Sequence, residues 1–168
     1  VIYDDSARTL STGSTVNVPG LDNYTWLGGS NTDWNTSSNW SSAGVPPQGA
    51  DITIATVGSN QPVLPSSFAV GPLTINGANS VIIGSNTLTL NNVIRGTGTL
   101  TGSATSNLTV ADSSGVINFS QVNAATRSLN LFTLNAGCSA TIGSGPVEVF
   151  GPMTLPKSAR LSVNSANL

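Results

Sequence analysis

From Asp51 onward the chain alternates apolar residues with Thr, Ser or Asn in short runs. DITIAT (51–56), FAVGPLTI (68–75), SVIIG (80–84), NTLTLNN (86–92), GTLTG (98–102) and SNLTV (106–110) come first. GVINFS (115–120), RSLNLFTL (127–134), SATIG (139–143), PVEVF (146–150), PMTL (152–155) and ARLSV (159–163) follow. Leu73/Ile75, Leu88/Leu90, Leu108/Val110 and Leu161/Val163 sit two positions apart, the period of a strand with one buried face. Between the runs stand turn signals: Asn76-Gly77, Gly84-Ser85-Asn86, Gly96-Thr97-Gly98 and Gly143-Ser144-Gly145. No segment carries a helical apolar stripe, so the pattern predicts an all-β chain.

Strands of a β-sandwich usually come with turn signals every 8–12 residues, whereas many runs here begin about 7–9 residues apart. Neighbouring stretches, NSVIIGSNTLTLNN and GTGTLTGSATSNLTV, also look like variants of one phrase. A chain winding through three short faces per coil, roughly 20 residues per rung, has this texture. Stacked rungs align aliphatic side chains inward and Thr, Ser and Asn outward. A right-handed parallel β-helix is the expected architecture, with a β-sandwich as the alternative. The Thr positions do not spell a regular T-x-T array from phrase to phrase, which weighs against an ice-binding face.

The pattern divides the chain into three zones. Residues 1–22 hold a short apolar start, a polar stretch and the alternating Val16-Asn17-Val18 before Pro19-Gly20, and read as an N-terminal arm or the end of a preceding module. Residues 23–50 hold all three Trp without clean periodicity and read as a Trp-rich cap. Residues 51–168 are the β-solenoid repeats.

Composition narrows the function. Of 168 residues only 7% are charged, against roughly 25% in ordinary domains. Ser, Thr, Asn and Gly make up roughly half the chain, so the exterior is neutral and polar. Such a surface points to an extracellular, secreted or cell-surface location. The net charge of −2 and the scattered Arg8, Arg95, Arg127, Lys157 and Arg160 offer no patch for nucleic acid. No run is long and apolar enough for a membrane span, and no signal peptide pattern stands at the start. Cys138, flanked by Ala136, Gly137, Ser139 and Ala140, reads as a small buried residue rather than a reactive thiol.

The acids are Asp4, Asp5, Asp22, Asp33, Asp51, Asp112 and Glu148, and beyond Asp51 the last two stand on different phrases. A glycosidase needs two carboxyl groups held about 5–9.5 Å apart. With no His, the usual general base near neutral pH is missing. Asp4-Asp5 could help hold Ca²⁺, but two adjacent carboxylates are more often a solvated arm. The expectation is a non-enzymatic chain with no catalytic residue, metal or cofactor; a β-helical polysaccharide-active enzyme is the weaker alternative.

One stretch resembles a known family. Thr25-Trp26-Leu27-Gly28-Gly29, Asp33-Trp34-Asn35, Ser38-Asn39-Trp40-Ser41, Val45-Pro46 and Asp51-Ile52-Thr53-Ile54 resemble the opening of β-helical stalks in large bacterial surface proteins. Those are type IX-secreted adhesin-like proteins and autotransporter passengers, and the likeness covers roughly residues 25–168. It implies a passive stalk or adhesive module and brings no catalytic residues with it. The chain stops mid-phrase at Asn167-Leu168, where such proteins usually continue, which the resemblance would explain by a fragment or a covered last rung.

Trp26, Trp34 and Trp40 admit two roles. Exposed indoles beside Asn and Asp can stack on sugar rings, which would make a carbohydrate-binding module. Buried, they would plug the first rung, whose edge otherwise invites uncontrolled pairing. The plug is the favoured expectation. Candidate glycosylation acceptors are Asn23, Asn35, Asn39, Asn107 and Asn118 in N-x-S/T sequons, and Ser6 in Asp5-Ser6-Ala7. The expected partners are neighbouring modules or identical subunits joined head to tail, with glycans as a further candidate. Val16 and Val18 could add a strand to a neighbour.

Overall fold

The computed structural model describes residues 23–41, 44–55, 58–143 and 145–164. The proposed arm, residues 1–22, lies outside them, with Ser6, Asp4 and Asp5. The strands, in chain order, are β1 (Asn23–Trp26), β2 (Asp51–Ile54), β3 (Phe68–Val70), β4 (Leu73–Ile75), β5 (Ser80–Ile82), β6 (Thr87–Leu90), β7 (Ile94–Arg95) and β8 (Thr99–Thr101). They continue as β9 (Asn107–Val110), β10 (Gly115–Ile117), β11 (Ser128–Leu129), β12 (Leu131–Leu134), β13 (Ser139–Ile142), β14 (Glu148–Val149), β15 (Met153–Thr154) and β16 (Arg160–Val163). Two 3-10 turns, Ser37–Asn39 and Ala125–Arg127, complete the regular structure.

Every pairing between these strands is parallel, so the chain is a parallel β-solenoid of about five turns. One face carries β1-β2-β4-β7 and then β10-β13-β16, the two groups joined by a bond from Ile94 N–H to the Ser114 carbonyl at 2.8 Å. A second face is built on β5-β8, extended by single bridges Asp33–Val63, Val63–Ile82 and Leu100–Phe119. The third is the five-stranded β3-β6-β9-β12-β15.

Alternation explains the core. Phe68, Leu88, Leu108, Phe132 and Met153 are aligned in register along the third face, beside Val70, Leu90, Val110 and Leu134. On the first face Trp26 aligns with Ile54 and Ile75. Most of these side chains are fully buried, each removing about 1.5–3 kcal/mol worth of apolar surface from water. The intervening Thr residues point outward, where β-branched side chains suit the pleat.

Corners are tied coil to coil by side chains. Asn79 Nδ2 donates to the Ala55 carbonyl at 2.6 Å, Asn86 Nδ2 to the Leu64 carbonyl at 2.8 Å, and the Ser106 hydroxyl to the Gly84 carbonyl. Each Asn thus satisfies backbone that a corner takes out of the sheet ladder. FAVGPLTI, one run by pattern, is two strands on different faces. The chain bends at Gly71-Pro72, and a Cβ at Gly71 would lie 2.6 Å from the Gly49 carbonyl oxygen beneath it.

Candidate functional site

The tryptophans gather at the N-terminal end of the described stack. β1 lies parallel to β2, while the chain returns after the Ser37–Asn39 turn and runs antiparallel over the other edge of β1. Leu27 N–H donates to the Asn39 carbonyl at 2.7 Å and Ser41 N–H to the Thr25 carbonyl at 2.9 Å. The first edge is thereby occupied by the chain itself.

Behind it the three indoles pack on one another. Ring centroids are 6.4 Å apart for Trp26 and Trp34, 5.0 Å for Trp26 and Trp40, and 4.8 Å for Trp34 and Trp40; Phe68 stands 5.1 Å from Trp34. Trp26, Trp34 and Trp40 are 0%, 1% and 4% exposed. Trp26 Nε1 donates to the Asn60 carbonyl and Trp40 Nε1 to the Trp34 carbonyl, both at 2.8 Å. A stacked sugar needs an open ring face, and these faces are spent on each other and on the core.

Asn39 holds the loop that places Trp34. It is fully buried: Oδ1 accepts from Ser30 N–H at 2.9 Å and Asn31 N–H at 3.3 Å, and Nδ2 donates to Asn31 Oδ1 at 2.9 Å and the Asp33 carbonyl at 3.0 Å. Its carboxamide is committed inside the protein, although the residue begins a sequon. Asn60 supports the same end, donating from Nδ2 to the Gly28 carbonyl at 2.8 Å. The sequence singled out Asn39 only as a sequon and as part of the Trp-bearing opening, not as a buried tie, and it passed over Asn60; in a chain full of surface Asn, neither carries a mark of its structural role.

The remaining sequons differ in exposure. Asn23 and Asn35 are exposed, whereas Asn107 and Asn118 are half-buried. Asn107 Nδ2 bonds Thr87 Oγ1 at 3.3 Å, and its Oδ1 accepts from Asn130 Nδ2 at 2.9 Å. Asn23 Nδ2 bonds Thr53 Oγ1 at 3.2 Å.

The described carboxylates are dispersed. Asp33 accepts from Asn35 N–H and Thr36 Oγ1, both at 3.0 Å, and Asp112 Oδ1 accepts from Ser113 N–H at 2.7 Å. Asp51 begins β2 beside Asn23, and Glu148 lies 3.7 Å from Arg127. Among the described residues no cluster of three His, Cys, Asp or Glu could hold a metal ion, and no helix is long and apolar enough to cross a membrane. Cys138 is buried, its Sγ 3.3 Å from the Ala111 carbonyl oxygen. No family model, curated protein or solved structure matches the chain.

Proposed function

We propose that this chain is a non-enzymatic structural module of an extracellular surface protein, a stalk segment of the kind its Trp-bearing opening resembles. The observation that carries the reading is the stack itself: one continuous aliphatic core sealed at its first edge, under an exterior of Thr, Asn and Ser. A solenoid of this kind is quasi-one-dimensional, so it holds whatever it carries at a set distance. Neutral polar side chains keep that length insensitive to salt, since few charges are present to be screened. The bonds of segment 39–41 to β1 favour the stalk over a filament joined head to tail, which would have to strip them away.

Antibody raised against the folded chain tests the reading on intact and permeabilised cells of the source organism. The expected result is equal labelling of both. Labelling that requires permeabilisation would sink the proposal, and so would a glycan array on which the chain binds a sugar and loses it on Trp34→Phe.

A further inference from the structure

Two asparagines share the corner between β4 and β5, and their surroundings are opposite. Asn79 is buried. Its Nδ2 donates to the Ala55 and Asn76 carbonyls, both at 2.6 Å, and its Oδ1 accepts from Gln61 Nε2 at 3.3 Å. The main-chain nitrogen that follows is engaged as well, Ser80 N–H donating to Gln61 Oε1 at 2.7 Å. Asn76 is exposed, and its carboxamide bonds no described residue. Gly77 after it is exposed too, and its N–H is likewise unbonded among the described residues. Gly77 takes a φ of 58°, and the space where a Cβ would stand is open.

This dipeptide carries a reaction of its own. The nitrogen after an Asn closes a five-membered ring when it reaches the side-chain Cγ, so the attack is intramolecular and needs only freedom to bring the two atoms together. Glycine supplies that freedom, because no Cβ crowds the nitrogen and the backbone visits both signs of φ. Asn76-Gly77 is the only Asn-Gly in the chain. Burial and hydrogen bonds withhold the same freedom from Asn79-Ser80.

We infer that Asn76-Gly77 is a self-modifying corner, the place among the described residues at which the folded chain deamidates first. The Gly77 nitrogen bonds Asn76 Cγ, the Cγ–Nδ2 bond breaks, and ammonia leaves with the Gly77 proton, closing a succinimide. Water then opens the ring. Opening at Cγ leaves an aspartate. Opening at the former main-chain carbonyl leaves an isoaspartate, whose main chain runs through Cγ and is one methylene longer. Either product adds a negative charge to a chain whose net charge is −2. The isoaspartate also alters the corner, because the carbonyl that accepts from Asn79 N–H at 3.2 Å and from Asn79 Nδ2 becomes a carboxylate off the main chain. Asn79 Nδ2 is also the tie to Ala55, so the change reaches the preceding coil. The corner thus changes with the age of the folded chain, without an enzyme. None of this depends on where the chain resides or what it carries.

The full 168-residue chain, held folded in mildly alkaline buffer and sampled over time by peptic peptide mapping, tests the proposal. Amide-to-acid conversion is expected at position 76 roughly tenfold or more faster than at Asn79, with isoaspartate detected there by enzymatic carboxyl methylation. In urea that advantage should shrink, since unfolding releases the Asn79 carboxamide and Ser80 N–H. Asn76→Gln enlarges the ring that must close. It should keep the parent's melting temperature, since the side chain holds no bond, and lose the new acidic species. A folded chain that stays unconverted at position 76, first conversion at another described Asn, an unchanged ratio in urea, or the same acidic species from Asn76→Gln would overturn the proposal.

Discussion

Trp40 engages Trp34 twice: its indole N–H donates to the Trp34 carbonyl oxygen at 2.8 Å, and its ring meets the Trp34 ring edge-on, centroids 4.8 Å apart. The polar bond fixes the backbone of the loop while the ring contact fills the end of the core. Edge-on aromatic pairs add about 0.5–1.5 kcal/mol beyond the area they bury. Chain reversal and core closure at this end therefore depend on the same pair.

Trp34→Ala should cost about 3–5 kcal/mol, the usual penalty for emptying a large aromatic site. For a domain of this size that lowers the melting temperature on the order of 10 °C. Thermal denaturation followed by circular dichroism reads it directly, and an unshifted curve would remove the cluster from the core.

Asn39→Ala removes a fully buried carboxamide that ties Ser30, Asn31 and Asp33 together and should cost about 1–3 kcal/mol, because its part-buried partners lose their bonds and regain water only incompletely. Asn39→Asp keeps the acceptor but sets a carboxylate oxygen against Asn31 Oδ1 and the Asp33 carbonyl, and should also destabilise. Urea unfolding of the two variants checks both. The same burial predicts that glycosyl transfer to the folded chain modifies Asn23 or Asn35 and spares Asn39, as peptide mapping would show.

Neighbours on one strand should behave in opposite ways. Leu108 is fully buried between Leu88 and Phe132, so Leu108→Ala should cost about 2–5 kcal/mol. Thr109, beside it, faces outward between Thr89 and Thr133, and Thr109→Ala should cost under about 1 kcal/mol. Equal penalties in a denaturant titration would contradict the inward and outward assignment.

The Arg127–Glu148 pair spans 3.7 Å, with the Glu148 side chain 44% exposed. Exposed pairs contribute about 0–1 kcal/mol, so Glu148→Gln should leave stability nearly unchanged. Raising NaCl from low to about 0.5 M should likewise move the melting temperature little, since screening has few charges to act on. A large salt-dependent loss in differential scanning calorimetry would show that electrostatics matters more than packing.

Much of the solenoid was legible because its signal is local. Leu88-Thr89-Leu90 and Leu108-Thr109-Val110 announce a two-residue period without reference to any other part of the chain, and both are strands with the expected buried positions. The expected rung of roughly 20 residues agrees with the 21-residue steps that join Ile52, Leu73 and Ile94. Two strands escaped the pattern. β7 is only Ile94–Arg95, too short to show alternation, and β1, Asn23–Trp26, has no aliphatic residue to mark its face.

By itself the sequence determined that the chain is all-β, which residues turn inward, and that the exterior is neutral, since each follows from side-chain chemistry at neighbouring positions. Only the tertiary structure decided which coil lies on which. Thr89, Thr109, Thr133 and Thr154 form one outward column although they are 20, 24 and 21 positions apart, because the turn at Ala125–Arg127 lengthens one coil without shifting its register. The burial of Trp26, Trp34 and Trp40 was decided there as well. An indole between polar neighbours suits a surface or a core equally, until a strand returning over β1 shuts it in.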